Sequence, residues 1–595
     1  MRFKSQLQGG FEAFAVSGPN TISFAIIGDA KAQTGLLGFA VERTDPEEKQ
    51  RYIMPGFKVF RSVVPHPVPN MHISTWDHPV QSFVWDDFTA KPDREYEYVF
   101  YPLRGTPKNL DRSAVPIRIR VHTEKLFGDD EHDVFFNRGV ASSQAYARRF
   151  HNRKPNELPP DEQERALDWL ARDLEHALLE FIAQSRKGDG LLCCFYEFSY
   201  LPVVKALKAA IDRGVEVQII IDAKVNEHTD KQGFHESFPR KENLEMIQKA
   251  RIPRKNVILR DRNPNNIQHN KFMVLLQGKR RNPVHVWTGS TNVSLGGITG
   301  QTNVGHWVKN ETVARQFRDY WDLLARNPGS ARGESQAEAR KKKAAYRSDV
   351  QSLTKAPISV RAVAQGITPV FSPRQKLDML NLYSTMVHSA RDFSAITLAF
   401  GISSELKGLL KENAADGHIV FLLLEKEDRP NQRSKQPFVV INASNNVYKA
   451  WGSYIDDPVY QWAEETNTRI LELNHHVSYI HSKFLLMDPL GTDPVVVTGS
   501  ANFSRASTTD NDENMLIVRG NQRVADIYFT EFNRLFNHYY FRSVLDSEHR
   551  MRREDDRSRL FLDETGREWM KKYARGSLRA KRLEIYRKMR GITSA

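Results

Sequence analysis

Two stretches in different halves of the chain spell one pattern. The first reads IQHNKFMVLLQGKRRNPVHVWTGSTN and the second YIHSKFLLMDPLGTDPVVVTGSAN. Each sets a histidine and a lysine inside an apolar run, His269 with Lys271 and His481 with Lys483. Each follows them with Gly-Ser-x-Asn: Gly289, Ser290 and Asn292, then Gly499, Ser500 and Asn502. Such a duplication constrains the fold more than any local propensity, because it demands two copies of one supersecondary unit. Residues i and i+2 of a strand share a face, so each histidine projects with its lysine while Phe272 and Phe484 point away into packing. Two copies packed about a pseudo-two-fold axis bring two imidazoles, two ammonium groups and two carboxamides into one pocket. A phosphate diester is the natural guest of such a pocket.

The surroundings of both copies alternate strands with helices. GLLCCFYEFS reads as a buried strand, YLPVVKALKAAIDRG as a helix ending at Gly214, and VEVQIIIDAK as the next strand. FSAITLAFGISSELKGLLKENAADGHIVFLLLEKED repeats that rhythm, and VFFNRG (134–139) corresponds to PVFSPR (369–374). The expected class is therefore α/β, with two repeats over 130–328 and 360–545, each built on a mostly parallel sheet. Residues 329–359, polar, basic and short of apolar periodicity, read as a linker. Residues 1–125 carry short alternating segments broken by Gly, Pro and Asn, the rhythm of a β-sandwich. Tyr96, Tyr98 and Phe100 alternate on one face there, with Trp85 as a bulky partner; this stretch resembles a fibronectin type III domain. The tail, 546–595, is basic and expected to be partly helical, a solvated face or a phosphate-backbone contact.

The duplicated motif resembles that of the phospholipase D superfamily, His-x-Lys-x4-Asp followed by Gly-Ser-x-Asn. The second copy matches in full, with Asp488 as the acid; the first has Leu276 at that position. Family members have an acid after Gly-Ser-x-Asn that orients the histidine. Here that residue is Glu513, and equal counting from Gly289 reaches Asn303. A carboxylate stabilises a cationic imidazole better than an amide does. The expectation is that Glu513 backs His481 and Asn303 backs His269. His269 is then the neutral nucleophile that forms a phosphohistidine, and His481 the general acid and later base. Lys271, Lys483, Asn292 and Asn502, with Ser290 and Ser500 beside them, are expected to hold the phosphate oxygens. Asp488 is expected at a turn that shapes the site.

Composition narrows the rest. The formal net charge is +14, which favours a polyanionic partner: nucleic acid, or an anionic membrane surface. The two cysteines, Cys193 and Cys194, cannot build a disulfide framework or a zinc site and read as buried fillers. No apolar run reaches the ~18 residues of a membrane span, and the start lacks a signal-peptide core, so a cytoplasmic location is expected. No metal site or cofactor is suggested. His285, His306, His475 and His476 lack duplicated partners and read as structural; Trp287 and Trp451 read as core or cleft residues. The function expected is a metal-independent phosphodiesterase, foremost a nuclease acting on DNA. A phospholipase D is the alternative, and a catalytically weakened scaffold ranks last. The insertions 225–255 and 428–462 differ between the halves and are where substrate selection is expected.

Overall fold

The computed structural model describes residues 1–67, 71–139, 146, 149–151, 153, 155–230, 233–263, 265–412, 417–430, 438–452, 480–549 and 561–594. His475, His476 and parts of the second insertion and of the tail lie outside them.

Each repeat is a seven-stranded sheet, and the two sheets share one strand order. In the first it runs His132–Phe136, Val304–Val308, Asn282–Gly289, Lys271–Gln277, Gly190–Phe195, Glu216–Asp222, Val257–Arg260. In the second it runs Gly366–Ser372, Glu513–Arg519, Val495–Gly499, Phe484–Met487, Phe393–Leu398, Ile419–Leu424, Val447–Trp451. The correspondence of 134–139 with 369–374 holds, since both segments form the edge strand of their sheet.

The sheets are mixed, which corrects the mostly parallel expectation. Only three neighbouring strands of each sheet pair in parallel: Gly190–Phe195, Glu216–Asp222 and Val257–Arg260 in the first, Phe393–Leu398, Ile419–Leu424 and Val447–Trp451 in the second. The remaining four pairings of each sheet are antiparallel. The reason is local: the His-x-Lys strand and the strand leading to Gly-Ser-x-Asn are joined by a short turn, and a short turn can only make an antiparallel pair.

The two sheets lie back to back over a shared apolar layer. Phe272, Val274, Phe484, Leu486 and Val496 point into it, together with faces of the helices Glu311–Ala325 and Gln522–His549. In the first of these helices Asn310 caps Val313 N–H, and Val313, Phe317, Tyr320, Trp321 and Leu324 recur at helical spacing on the buried side. The opposite sheet faces carry separate cores covered by the outer helices.

Residues 1–125 form the expected sandwich. One sheet holds Phe11–Ser17, Ile22–Gly28 and Val84–Asp87; the other holds Gln50–Ile53, Gly38–Asp45, Glu95–Thr106 and Ile117–His122. Tyr96, Tyr98 and Phe100 are fully buried, and Phe24 packs on Tyr98 (4.6 Å) and Trp85 (5.6 Å) between ring centroids.

Two connecting segments are more ordered than their composition suggests. The linker contains a helix, Gln336–Ser352, capped by Ser335 and seated by Tyr346 and Val350. The described part of the tail, 561–594, is a clasp rather than a solvated face. Trp569 enters the sandwich core, Ile585, Tyr586 and Met589 enter the shared layer, and Thr593–Ser594 pairs in parallel with Arg2–Lys4. Among the described residues no helix is long and apolar enough to cross a membrane.

Candidate active site

The two His-x-Lys segments meet where the repeats touch. Isolated parallel bridges join Gln268 to Asp512 and Thr302 to Ile480. His269 N–H donates to Asp512 O (2.9 Å), and His481 N–H to Thr302 Oγ1 (3.3 Å). Each histidine is thereby laid beside Glu513 or Asn303 of the other repeat. The imidazole centroids stand 6.3 Å apart at 74°.

This crossing corrects the expected pairings. His269 Nδ1 bonds Glu513 Oε2 (2.9 Å), and His481 Nδ1 bonds Asn303 Oδ1 (2.9 Å). The carboxylate backs the first histidine and the amide the second, the reverse of the sequence reading. Equal counting along each copy finds the right residues, but it assumes that each repeat serves its own histidine. Asn303 donates Nδ2 to Gly297 O (2.7 Å), which leaves Oδ1 as acceptor, so His481 carries its hydrogen on Nδ1.

The motif serines hold these orienting residues. Ser290 Oγ donates to Asn303 Oδ1 (2.8 Å) and accepts from Val304 N–H (3.1 Å). Ser500 Oγ donates to Glu513 Oε2 (2.9 Å) and accepts from Asn514 N–H (3.0 Å). Both serines are fully buried, so their expected contact with phosphate gives way to a positioning contact. The glycines before them are forced. A Cβ on Gly289 would stand 2.2 Å from Val304 O, and one on Gly499 2.3 Å from Asn514 O.

Lys271 and Lys483 are buried beside the histidines, and each donates Nζ to the carbonyl of its own histidine. Tyr196 covers this corner, its ring 5.2 Å from Lys271 Nζ and 5.0 Å from the His269 ring. Burial pushes both imidazoles well below the ordinary histidine range, and the two lysines push them further. Burial brings Lys271 down to about 7 against the opposing charges of Glu513 and Glu197. Lys483 is lowered by burial and then by Lys271. Burial raises Glu513 to about 7 against the pull of Lys271.

Glu197 is a site residue that sequence reasoning missed. It accepts from Asn292 Nδ2 (2.7 Å) and Ser294 Oγ (2.6 Å), and burial raises its carboxyl to about 7. The signal was present as an acid closing the apolar run GLLCCFYEFS. Asn502 lies at the equivalent place in the second repeat and bonds no such carboxylate among the described residues.

Asp488 stands apart. Its carboxylate accepts from the N–H groups of Arg391 (2.8 Å), Asp392 (2.8 Å) and Phe393 (3.2 Å), fastening the start of the neighbouring strand. It closes the end of its strand remote from Lys483. It therefore shapes the sheet rather than the pocket. In the first repeat Asp189 does similar work from the other side, accepting from Gly278 N–H (3.1 Å), so Leu276 leaves nothing undone. His306 bonds His132 and Tyr528, and Trp287 and Trp451 belong to cores, as structural residues do. Both cysteines are free and buried. Among the described residues no group of three or more His, Cys, Asp or Glu side chains is placed to hold a metal ion.

Two repeats of one mixed α/β unit, with a histidine–lysine pair from each meeting across their junction, define the class. A family model, "Cardiolipin synthase, PLD-like domain", matches residues 178–324 and 383–536, a little over half of the chain. The chain belongs to this phospholipase D-like family.

Among solved structures it is similar to phosphatidylserine synthase of Haemophilus influenzae Rd KW20 (13% identity, 70% of this chain and 93% of that one, TM-score 0.41). It is similar to Nuc, a phospholipase D family member from Salmonella typhimurium (25% identity, 25% and 84%, TM-score 0.19). It also resembles polyphosphate kinase of Porphyromonas gingivalis (12% identity, 59% of this chain, TM-score 0.35), of which it spans only 46%. A comparison with curated proteins gives no match.

Proposed function

We propose that the protein is a metal-independent phosphodiesterase that works through a phosphohistidine, and that its substrate is DNA. The observation that carries the chemistry is the facing pair of imidazoles. Each is held outward at Nδ1, which leaves Nε2 for the reaction.

His269 is the nucleophile, for a different reason from the one read in the sequence. Glu513 accepts its Nδ1 hydrogen, which enriches Nε2 and stabilises the positive ring that phosphorylation creates. Nε2 of His269 forms a bond to phosphorus as the P–O bond to the leaving group breaks. His481, protonated at Nε2 when the anionic diester arrives, gives that proton to the departing oxygen. Water then attacks phosphorus, His481 takes its proton, and the P–N bond breaks to free His269. Lys271 and Lys483 hold the non-bridging oxygens with Asn292 and Asn502, supplying the positive charge such a step needs.

The choice of DNA rests on the net charge of +14, which suits a phosphate backbone. The N-terminal domain is read as fibronectin type III-like, a reading its antiparallel two-sheet build supports, and as a docking module. A second reading is phospholipid head-group chemistry, favoured by the family's own description. The same phosphohistidine would then pass to water or to an alcohol.

One comparison tests the choice: plasmid DNA, RNA and phosphatidylcholine vesicles, with excess chelator, beside His269→Ala and His481→Ala. Nicking that survives chelator and disappears in both variants is expected. Nicking unchanged in the variants sinks the nuclease reading, and choline release without nicking establishes the lipid one. Acid-labile phosphate is expected on His269; its recovery on His481 would exchange the two roles.

A further inference from the structure

The two repeats differ beside the catalytic asparagines. Phe195 pairs with Lys271 in the first sheet. In the second, Ile396 pairs with Leu485, a register that sets Leu398 opposite Lys483. Two residues beyond these strand ends stand Glu197 and Phe400. Glu197 is buried and bonded to Asn292, so it closes the first repeat's side. Phe400 is 58% exposed and closes nothing.

A cavity of about 300 Å³ opens in its place, lined by Phe400, Ser403, Glu405, Asn502, Phe503 and Arg505 among others. Of its lining residues Asn502 belongs to the motif, two positions after Ser500, whose Oγ bonds Glu513. Asn502 is only 9% exposed, and its Oδ1, like that of Asn292, has no hydrogen-bond partner among the described residues. Phe503 is fixed as one wall by edge-on packing against Tyr383 (5.5 Å). Arg505 is exposed at the rim and has no ion-pair partner among the described residues.

From this geometry we propose that the cavity is a nucleobase subsite: it takes the base of the nucleotide that departs, stacked on Phe400, with Arg505 meeting the next phosphate. The inference rests on the nuclease reading and adds that the substrate strand must be unpaired. The location fixes the side. Attack from His269, in the first repeat, drives the leaving oxygen toward His481 and the second repeat, where the cavity lies. Exposed aromatic rings beside basic groups are the general means of holding single strands. A base lodged between walls has left its duplex stack. Ser403 and Glu405 offer a hydroxyl and a carboxylate to the base edge.

The test compares three substrates of equal length: a single strand of mixed sequence, the same strand in a duplex, and an abasic single strand. Each is cleaved by the wild type, Phe400→Ala, Phe400→Trp and Arg505→Ala. The wild type is expected to show a KM for the base-bearing strand about 10-fold below that for the abasic one, and to cleave the duplex slowest. Phe400→Ala is expected to erase most of that ratio and Phe400→Trp to keep it. Arg505→Ala is expected to raise KM with a smaller salt dependence. Because Phe400 is exposed, its loss does not threaten folding. Equal KM for both strands in the wild type, or a ratio unmoved by Phe400→Ala, overturns the subsite while the nuclease reading stands. Cleavage of none of the strands, with head-group release from vesicles, overturns both.

Discussion

At the residue scale, the exchange of orienting groups between repeats makes the two histidines unequal. Glu513 is useful to His269 as a carboxylate, and burial sets its titration near 7. A group that must be deprotonated supports the reaction above its pKa and fails as pH falls through it. On the proposed mechanism, the rate of phosphohistidine formation should therefore show an acid limb centred near pH 7. Glu513→Gln keeps the shape, and still accepts from Nδ1, but cannot titrate or balance a positive ring. It should lose that limb and run about 10²- to 10⁴-fold slower at pH 8. Single-turnover rates across pH check this; a limb that persists in the variant assigns the titration to another group. Asn303, which never titrates, gives His481 no charged partner to hold a proton, so on the proposed mechanism the incoming diester must supply that help.

At the element scale, the strands carrying the motifs were legible because apolar runs and period-two alternation report burial directly. Lys271 and Lys483 are buried where that alternation aims them. Pairing was less legible. A βαβ rhythm speaks for the parallel strands, and nothing in GKRR or PLGTD announces how far the hairpin turns each sheet antiparallel. The partner of each imidazole was not legible either, because sequence distance says nothing about which repeat a loop crosses into. The helix Gln336–Ser352 escaped notice for a related reason. It buries only Tyr346 and Val350, too few for an apolar period. Tyr346 earns its place by donating to Asp512 Oδ1 (2.7 Å), while Arg260 Nε donates to Oδ2 of the same carboxylate (2.8 Å). The motif glycines are the element-scale constraint that sequence does express. Gly289 and Gly499 adopt φ of 138° and 159° with a carbonyl where a Cβ would go. Gly289→Ala should cost about 1–3 kcal/mol from backbone strain alone, read as a lower denaturant midpoint. A midpoint equal to the wild type's would show that the strand end relaxes freely.

At the scale of the whole molecule, chain ends and repeats are tied together by buried polar and aromatic contacts. Arg2, fully buried, bonds Asp526 Oδ1 (2.7 Å) and the carbonyls of Pro489 (2.7 Å), Leu490 (3.0 Å) and Arg590 (2.7 Å). It thus joins the first strand of the sandwich to the second repeat and to the tail. The tail closes the loop from the other end. Trp569 packs against Phe83 (5.0 Å), and Tyr573 OH bonds Ser82 Oγ (2.8 Å) while accepting from Phe83 N–H (2.9 Å). Further along the same tail, Ile585 and Tyr586 are buried against the second repeat. The sandwich is therefore held to the repeats by this clasp and by Phe14, Val16 and Ala25, which pack into the shared layer away from the His-Lys pocket. Trp569→Ala removes a large buried ring and should cost about 3–5 kcal/mol. That cost should fall first on residues 1–125 and the tail. Hydrogen exchange should rise in Phe11–Ser17 and Glu95–Thr106 before it rises in Lys271–Gln277 or Phe484–Met487. Equal acceleration in all four strands would mean that sandwich and repeats unfold as one cooperative body, and that the tail stabilises the catalytic centre itself.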